Sequence, residues 1–198
     1  MTKVYDQAYF DRWYRGGRKI HGRNEVRRKV MMAITVAEYF LRRPIETVLD
    51  IGAGEGAWQT YLRTIRRRAE YAGVEPSAYA VERFGEARNI RQATFGDVRK
   101  LRLTGQFDLV VCSDVLHYLS ESEIRRGLPE LVKRTGGVAF IEVLTWEDEI
   151  IGDLHDLVKR PAAWYSGLFT RAGLAQVGPY CWLSPSLQGY ASALEVRR

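Results

Sequence analysis

The sequence predicts a doubly wound α/β domain with an N-terminal helical cap, and three observations carry that reading. From residue 47 onward, short apolar runs alternate with helix-length segments, as parallel strands joined by crossover helices do. The first of those runs ends in a cluster of glycines, where a strand turns tightly into a helix. The chain has 198 residues, enough for one domain that removes roughly 70% of its unfolded surface from water. Hydrophobic residues at 46% and charged residues at 27% exclude a disordered or collagen-like chain.

The elements follow in order. Residues 4–15 form an aromatic-rich helical segment that Gly16-Gly17 ends. Asn24 is placed as an N-cap, and Val26, Val30, Ile34, Ala37 and Leu41 recur at helical spacing. Arg42-Arg43 suit the negative end of that helix, and Pro44 stops it. Strands are expected at 47–51, 70–74, 90–95, 107–113 and 138–143, with helices near 56–68, 77–86 and 121–134. Ser120 and Glu123 make a capping box for the last helix, and Gly127 with Pro129 are expected to split it. Beyond 144 come a lid-like stretch, a helix near 161–172, and strand-like runs at 174–183 and 190–197. Those two runs are expected to pair as an antiparallel hairpin, with Pro179 marking an edge strand. The chain thus divides into a lid segment (1–23), a covering helix (24–43), a core (47–143) and an acceptor-side region (144–198).

The net charge of +6 lies wholly in residues 1–46, which hold 11 basic and 5 acidic side chains. Residues 47–198 hold 19 of each. Between Arg12 and Lys29 eight basic residues face one acid, Glu25. Such a run serves as a solvated helix face or binds anions. Cys112 and Cys181 are too few for a disulfide scaffold and lack zinc spacing. With no leader-like or membrane-spanning run, a cytoplasmic location is the expectation. Three histidines without ligand spacing predict no metal site.

The run 48–56, Val-Leu-Asp-Ile-Gly-Ala-Gly-Glu-Gly, carries the most chemistry. Gly52, Gly54 and Gly56 let a ligand approach the backbone, but Gly52, Gly54 and Ala57 also fit a loose dinucleotide fingerprint. Asp50 discriminates, because a carboxylate before the loop repels a pyrophosphate and suits an ammonium or sulfonium. Glu75, 23 residues past Gly52 and followed by Pro76, can accept both hydroxyls of a ribose. Asp97 and Val98 follow the third strand, where an acid can accept from an adenine amino group.

Together with residues 107–118 and Gly136-Gly137, these segments resemble the class I S-adenosylmethionine-dependent methyltransferases over residues 45–145. The resemblance implies a Rossmann-like seven-stranded, mostly parallel sheet with a reversed last strand. It implies S-adenosylmethionine as cofactor, held by Asp50, Gly52, Gly54, Gly56, Glu75, Pro76, Asp97, Val98 and Ser113. No Asn-Pro-Pro-Tyr-type run follows the fourth strand, Cys112 is not in a Pro-Cys pair, and Asp114 lacks a metal-binding partner after the fifth strand. The implied reaction is methyl transfer to an O or N atom of a small molecule. Alternatives are an RNA methyltransferase that uses the basic N-terminal region, or a non-catalytic S-adenosylmethionine-binding protein.

On the acceptor side, Trp13 and Tyr14 are expected as an aromatic wall, and Arg12, Arg18 or Arg23 as the partner of the cofactor carboxylate. Excess positive charge there implies an acceptor with a carboxylate or phosphate. Ser113, Asp114, His117 and Tyr118 are the polar side chains that follow the fourth strand. His117 is a candidate general base, with a structural histidine as the competing reading. Glu142 is the next candidate base, and Trp146 is expected to shape the pocket.

Overall fold

A computed structural model describes residues 5–15, 22–149 and 153–197. Its centre is a seven-stranded sheet in the order β3-β2-β1-β4-β5-β7-β6. The strands are β1 (Thr47–Ile51), β2 (Glu70–Glu75), β3 (Ile90–Gln92), β4 (Phe107–Ser113), β5 (Thr135–Glu142), β6 (Ala175–Gly178) and β7 (Cys181–Leu183). The first five run parallel, and β7 lies antiparallel between β5 and β6.

Strand periodicity sorts the core into two layers. Leu49, Ile51, Val110, Cys112, Ala139 and Ile141 face α5 (Glu121–Arg134) and α6 (Ala162–Arg171). Val48, Leu109, Val111, Val138 and Phe140 face α2 (Arg23–Leu41) and α3 (Ala57–Ile65). On α2 the buried stripe is Val30, Ala33, Ile34 and Ala37, which makes this helix a cover for the sheet. The remaining helices are α1 (Gln7–Phe10), continued by a π-turn over Asp11–Arg15, and α4 (Ala78–Arg88).

Several local expectations are corrected. Both strands of the hairpin lie inside 174–183, because Pro179 and Tyr180, the latter at φ 58°, turn the chain between Gly178 and Cys181. Pro179 therefore sits in the turn, not in an edge strand. The 190–197 run contributes a single bridge, Gln176 to Arg197. α5 is continuous through Gly127 and Pro129. A Cβ on Gly127 would meet Phe95 Cδ1 at 2.3 Å, so this glycine seats Phe95 and does not break the helix. β3 stops at Gln92, and Phe95–Leu101 forms a 3₁₀ segment. Gly22, not Asn24, is the N-cap of α2. The Ser120–Glu123 capping box forms as expected. No helix among the described residues is long and apolar enough to cross a membrane.

Candidate active site

The site lies over the carboxyl ends of β1, β2 and β4. The glycine loop forms its floor. Gly52, Gly54 and Gly56 have φ of 82°, 53° and 80°, a region that L side chains rarely enter. A Cβ on Gly52 would also sit 2.2 Å from Val115 Cγ2, so the loop closes only with glycine. Glu75 ends β2 and is 5% exposed. Its two carboxylate oxygens accept the Gly54 N–H at 2.7 Å and the Ser77 N–H at 3.0 Å. A carboxylate offers about four lone-pair sites, so it retains acceptor capacity toward ligand hydroxyls. Burial pushes its pKa up, and the two backbone donors oppose that.

Asp50 sits on the α2–α3 side of the sheet, 2% exposed, where Tyr71 Oη donates to it at 2.6 Å. Burial pushes its pKa up to about 7, the Tyr71 hydrogen bond opposes the shift, and the Glu75 charge adds to it.

Two chambers open above this floor. The larger, about 380 Å³, is lined on the floor side by Gly52, Gly54, Glu75, Pro76 and the Ala93–Phe95 stretch. Its other walls include Ser113, Asp114, Val115 and Tyr118 after β4, and Tyr5, Tyr9, Phe10 and Tyr14 from the N-terminal segment. The smaller, about 310 Å³, lies between α2 and α3 and includes Val26, Lys29, Asp50, Trp58, Tyr61 and Arg88. Tyr14, Gly52, Gly54, Ser113 and Asp114 line both, so they form the joint.

Residues 5–15 of the N-terminal segment pack against the glycine loop and the start of α4. Phe10 is 2% exposed, with ring centroids 5.6 Å from Tyr79 and 5.3 Å from Tyr14. Its Cε1 lies at van der Waals distance, 3.5 Å, from a Cβ built on Gly54. Arg15 pairs with Asp11 and with Glu55 of the glycine loop, and donates to Tyr79 Oη at 3.3 Å. Ser77 Oγ donates to the Tyr5 carbonyl. The hydroxyl end of Tyr14 is desolvated, and with Asp114 and Glu75 nearby its pKa is pushed up, so the phenol is neutral.

Behind the joint, Ser113 Oγ donates to Glu142 Oε2 at 2.6 Å, and Lys29 Nζ pairs with Glu142 at 2.6 Å and Glu25 at 2.9 Å. Burial first, then the Asp114 charge, pushes the Glu142 pKa up, while Lys29 and Ser113 pull it down.

Several candidates from the sequence lie elsewhere. Asp97 is ion-paired with Lys100 at 3.0 Å on the 3₁₀ segment, and Val98 is buried in the core. Neither lines a chamber, and Thr94 and Phe95 occupy that wall instead. Gly56 supports the floor from beneath, against Arg88 and Ile90. Trp13 lies outside both chambers with Arg12 over its ring, 4.9 Å from the centroid. Trp146 is 67% exposed and lines neither. His117 is buried at 1%, and its Nδ1 accepts the Leu144 N–H at 3.1 Å. That bond places the proton of a neutral ring on Nε2, and the imidazole is absent from both linings. Of the three arginines proposed for the cofactor carboxylate, Arg12 stacks on Trp13, and Arg18 and the Arg23 side chain lie outside the described residues. Lys29, Tyr5, Tyr9 and Phe10 were not singled out as site residues from the sequence. Their signals are spacing: Tyr5 and Tyr9, and Phe10 and Tyr14, each stand one helical turn apart, and Lys29 adjoins Val26 and Val30 on the inward face of α2.

Residues 49–136 match the family model described as a methyltransferase domain. Among solved structures, the fold is similar to DesVI of Streptomyces venezuelae, with TM-score 0.65 and 16% identity over 91% of this chain and 97% of that one. It is also similar to the sugar N-methyltransferase KedS8 from a Streptoalloteichus species, with TM-score 0.66 and 18% identity over 93% and 94%. An O-methyltransferase family protein from Burkholderia thailandensis gives TM-score 0.54 and 20% identity over 80% of this chain. The chain spans 55% of that protein's length. Among curated proteins no sequence matches. The matched stretch is a little under half of the chain, and it holds the end of β1, the glycine loop, β2, β3 and β4. The cleft fits S-adenosylmethionine, the cofactor that the sequence resemblance implies: the loop is cut back to glycine, a buried carboxylate ends β2, and the described lining of the larger chamber holds four carboxylates and no Lys or Arg.

Proposed function

We propose that this enzyme methylates an O or N atom of a small molecule held beneath the N-terminal lid. The observation that carries the reading is the pair of chambers meeting at Ser113 and Asp114 under a lid of aromatic side chains. Bound S-adenosylmethionine supplies a methyl group already activated on a sulfonium. The protein then has three tasks: to hold the cofactor, to align the acceptor and to exclude water.

Glu75 and the Gly52–Gly54 turn hold the ribose and the adjoining chain, with Pro76, Ala93, Thr94 and Phe95 beside the base. Phe10, Tyr9 and Tyr14 exclude water from above. Ser113 and Tyr118 face the acceptor, and Glu142, reached through Ser113, is the group able to receive a proton relayed from a hydroxyl. His117 acts as a packing and hydrogen-bonding residue that ties the segment after β4 to Leu144. The cofactor carboxylate falls to Lys29, the cation of the smaller chamber that stands beside the joint.

The test is mass spectrometry of ligands carried through purification, followed by an S-adenosylhomocysteine-release screen over small alcohols, phenols, carboxylates, amines and structured RNA. Release with small molecules and none with RNA supports the reading. Release with RNA alone, with a steep loss in salt, overturns it.

A further inference from the structure

The joint between the chambers holds a hydroxyl whose own proton is spoken for. Ser113 and Glu142 are register partners at the ends of β4 and β5, so their side chains leave the sheet on one face. Ser113 Oγ donates to Glu142 Oε2 at 2.6 Å. One residue further on, the Asp114 N–H donates to the Glu142 carbonyl at 3.1 Å and ties the two strand ends together. Ser113 lines both chambers, whereas Glu142 lines neither and is 6% exposed. A ligand at the joint therefore meets the serine oxygen, with the carboxylate behind it.

The direction of that hydrogen bond decides what the serine can do. With its proton committed to Glu142, Ser113 presents its lone pairs to a ligand and acts as an acceptor. Behind it the carboxylate is fixed by Lys29, which pairs with Glu142 at 2.6 Å and Glu25 at 2.9 Å. The groups that face Glu142 are Ser113 and Asp114 from the end of β4, Lys29 from α2, and Tyr180 from the β6–β7 turn. Burial and the Asp114 charge outweigh Lys29 and Ser113, so Glu142 is shifted toward holding a proton. A neutral amine attacks with a lone pair it already carries, whereas a hydroxyl must lose its proton to a base. A phenol, with a pKa of about 10, is within reach of a carboxylate raised above its usual value, and an aliphatic alcohol is far less acidic. Tyr14 borders the joint with Phe10 5.3 Å from it, and an aromatic acceptor packs on such faces.

Resting on the methyltransferase reading above, we infer that the acceptor is a phenol whose O–H donates to Ser113 Oγ, with Ser113 relaying the proton to Glu142. The phenol proton moves to Ser113 as the serine proton moves to Glu142, so the hydroxyl of Ser113 is restored in the same step. The O–C bond forms as the C–S bond breaks, and the electron pair of the C–S bond stays on sulfur as a thioether. The product is a neutral aryl methyl ether, which has no proton left to donate to Ser113. Glu142 gives its proton to water as the product leaves.

Binding and turnover of simple probes test this on the full chain. In calorimetric titrations of the chain saturated with S-adenosylhomocysteine, p-cresol is expected to bind at least about tenfold more tightly than p-methylanisole, which lacks the O–H. That preference should vanish in Ser113→Ala and return in Ser113→Thr, which keeps a hydroxyl. With S-adenosylmethionine, methylation of p-cresol should fall roughly 10²-fold or more in Ser113→Ala and in Glu142→Gln. Methylation of p-nitrophenol, already ionised in mildly alkaline buffer, should fall far less, whereas a merely structural defect lowers both alike. The kcat/KM for p-cresol should also fall as pH drops and Glu142 takes up a proton, a limb that Glu142→Gln removes. Equal binding of p-cresol and p-methylanisole, a preference that survives Ser113→Ala, an equal loss with both phenols, or no methylation of either phenol overturns the phenol inference. If S-adenosylmethionine binds and any of these occurs, only the phenol assignment falls. If S-adenosylmethionine itself fails to bind, the underlying reading falls with it.

Discussion

The floor and the lid of the site are built by different physics. The floor is a backbone structure: three glycines at positive φ, a buried carboxylate gripping two N–H groups, and a strand end that cannot shift without breaking the sheet. The lid is a side-chain structure: Phe10 wedged beside Tyr79, and Arg15 clasping Glu55. A backbone scaffold is pre-organised and binds the invariant part of the chemistry. On the proposed function, a lid held by a few rings and an exposed ion pair opens at little cost, as cofactor exchange requires. Damage to the floor should therefore appear as lost affinity, and damage to the lid as lost turnover.

The largest effect is expected at the floor. On the proposed function, Glu75→Ala removes the acceptor of two ribose hydroxyls, each charge-assisted bond worth about 1.5–3 kcal/mol, so cofactor affinity should fall roughly 10²-fold or more. Isothermal titration checks it, and an unchanged Kd would break the comparison. Next comes the lid. Deleting residues 1–18 should leave the sheet folded by circular dichroism yet lower kcat/KM by roughly 10²-fold, because acceptor alignment and water exclusion are lost. Full activity in the truncated chain would show that the lid does no work.

His117→Ala should destabilise without disarming. Losing a buried hydrogen bond costs about 1–3 kcal/mol, so Tm should drop by several degrees while kcat of the folded fraction stays near wild type. A fall of about 10²-fold or more in kcat at unchanged Tm would restore His117 as a general base. Asp50 sharpens the comparison through pH. Its folded pKa of about 7 exceeds the ordinary carboxylate value, so the native state binds the extra proton and loses stability as pH rises from about 4 to 7. Asp50→Asn should flatten that part of the Tm–pH curve in the cofactor-free protein. The smallest effect belongs to Glu55→Gln. An exposed pair is worth about 0–1 kcal/mol, so the variant should speed cofactor release by no more than about fivefold, an effect that salt mimics in the wild type.

The same division decides what the sequence made legible. The strand order, the glycine turn, Glu75 and Asp50 are written locally, in runs where a few adjacent residues have one low-energy arrangement. The hairpin was misplaced because two apolar runs look alike to periodicity, and the turn at Pro179-Tyr180 lies inside one of them. Asp97 was drawn to the site by its position after β3, whereas the 3₁₀ segment turns it toward Lys100. The lid was the least legible part. Five aromatic residues within ten positions can face a ligand, the core or solvent, and only the packing of Phe10 beside Tyr79 and Gly54 decides that Tyr5, Tyr9 and Tyr14 border the larger chamber while Trp13 does not. Lys29 is fixed by a partner distant in sequence, Glu142, and no local pattern announces such a pairing.

The most direct measurement of the central claim is a pair of calorimetric titrations on the full chain, one with S-adenosylmethionine and one with NAD. S-adenosylmethionine is expected to bind saturably, to raise Tm by linkage to the native state and to bind much more weakly in Glu75→Ala, with no counterpart for NAD. Tight NAD binding with none for S-adenosylmethionine would contradict it.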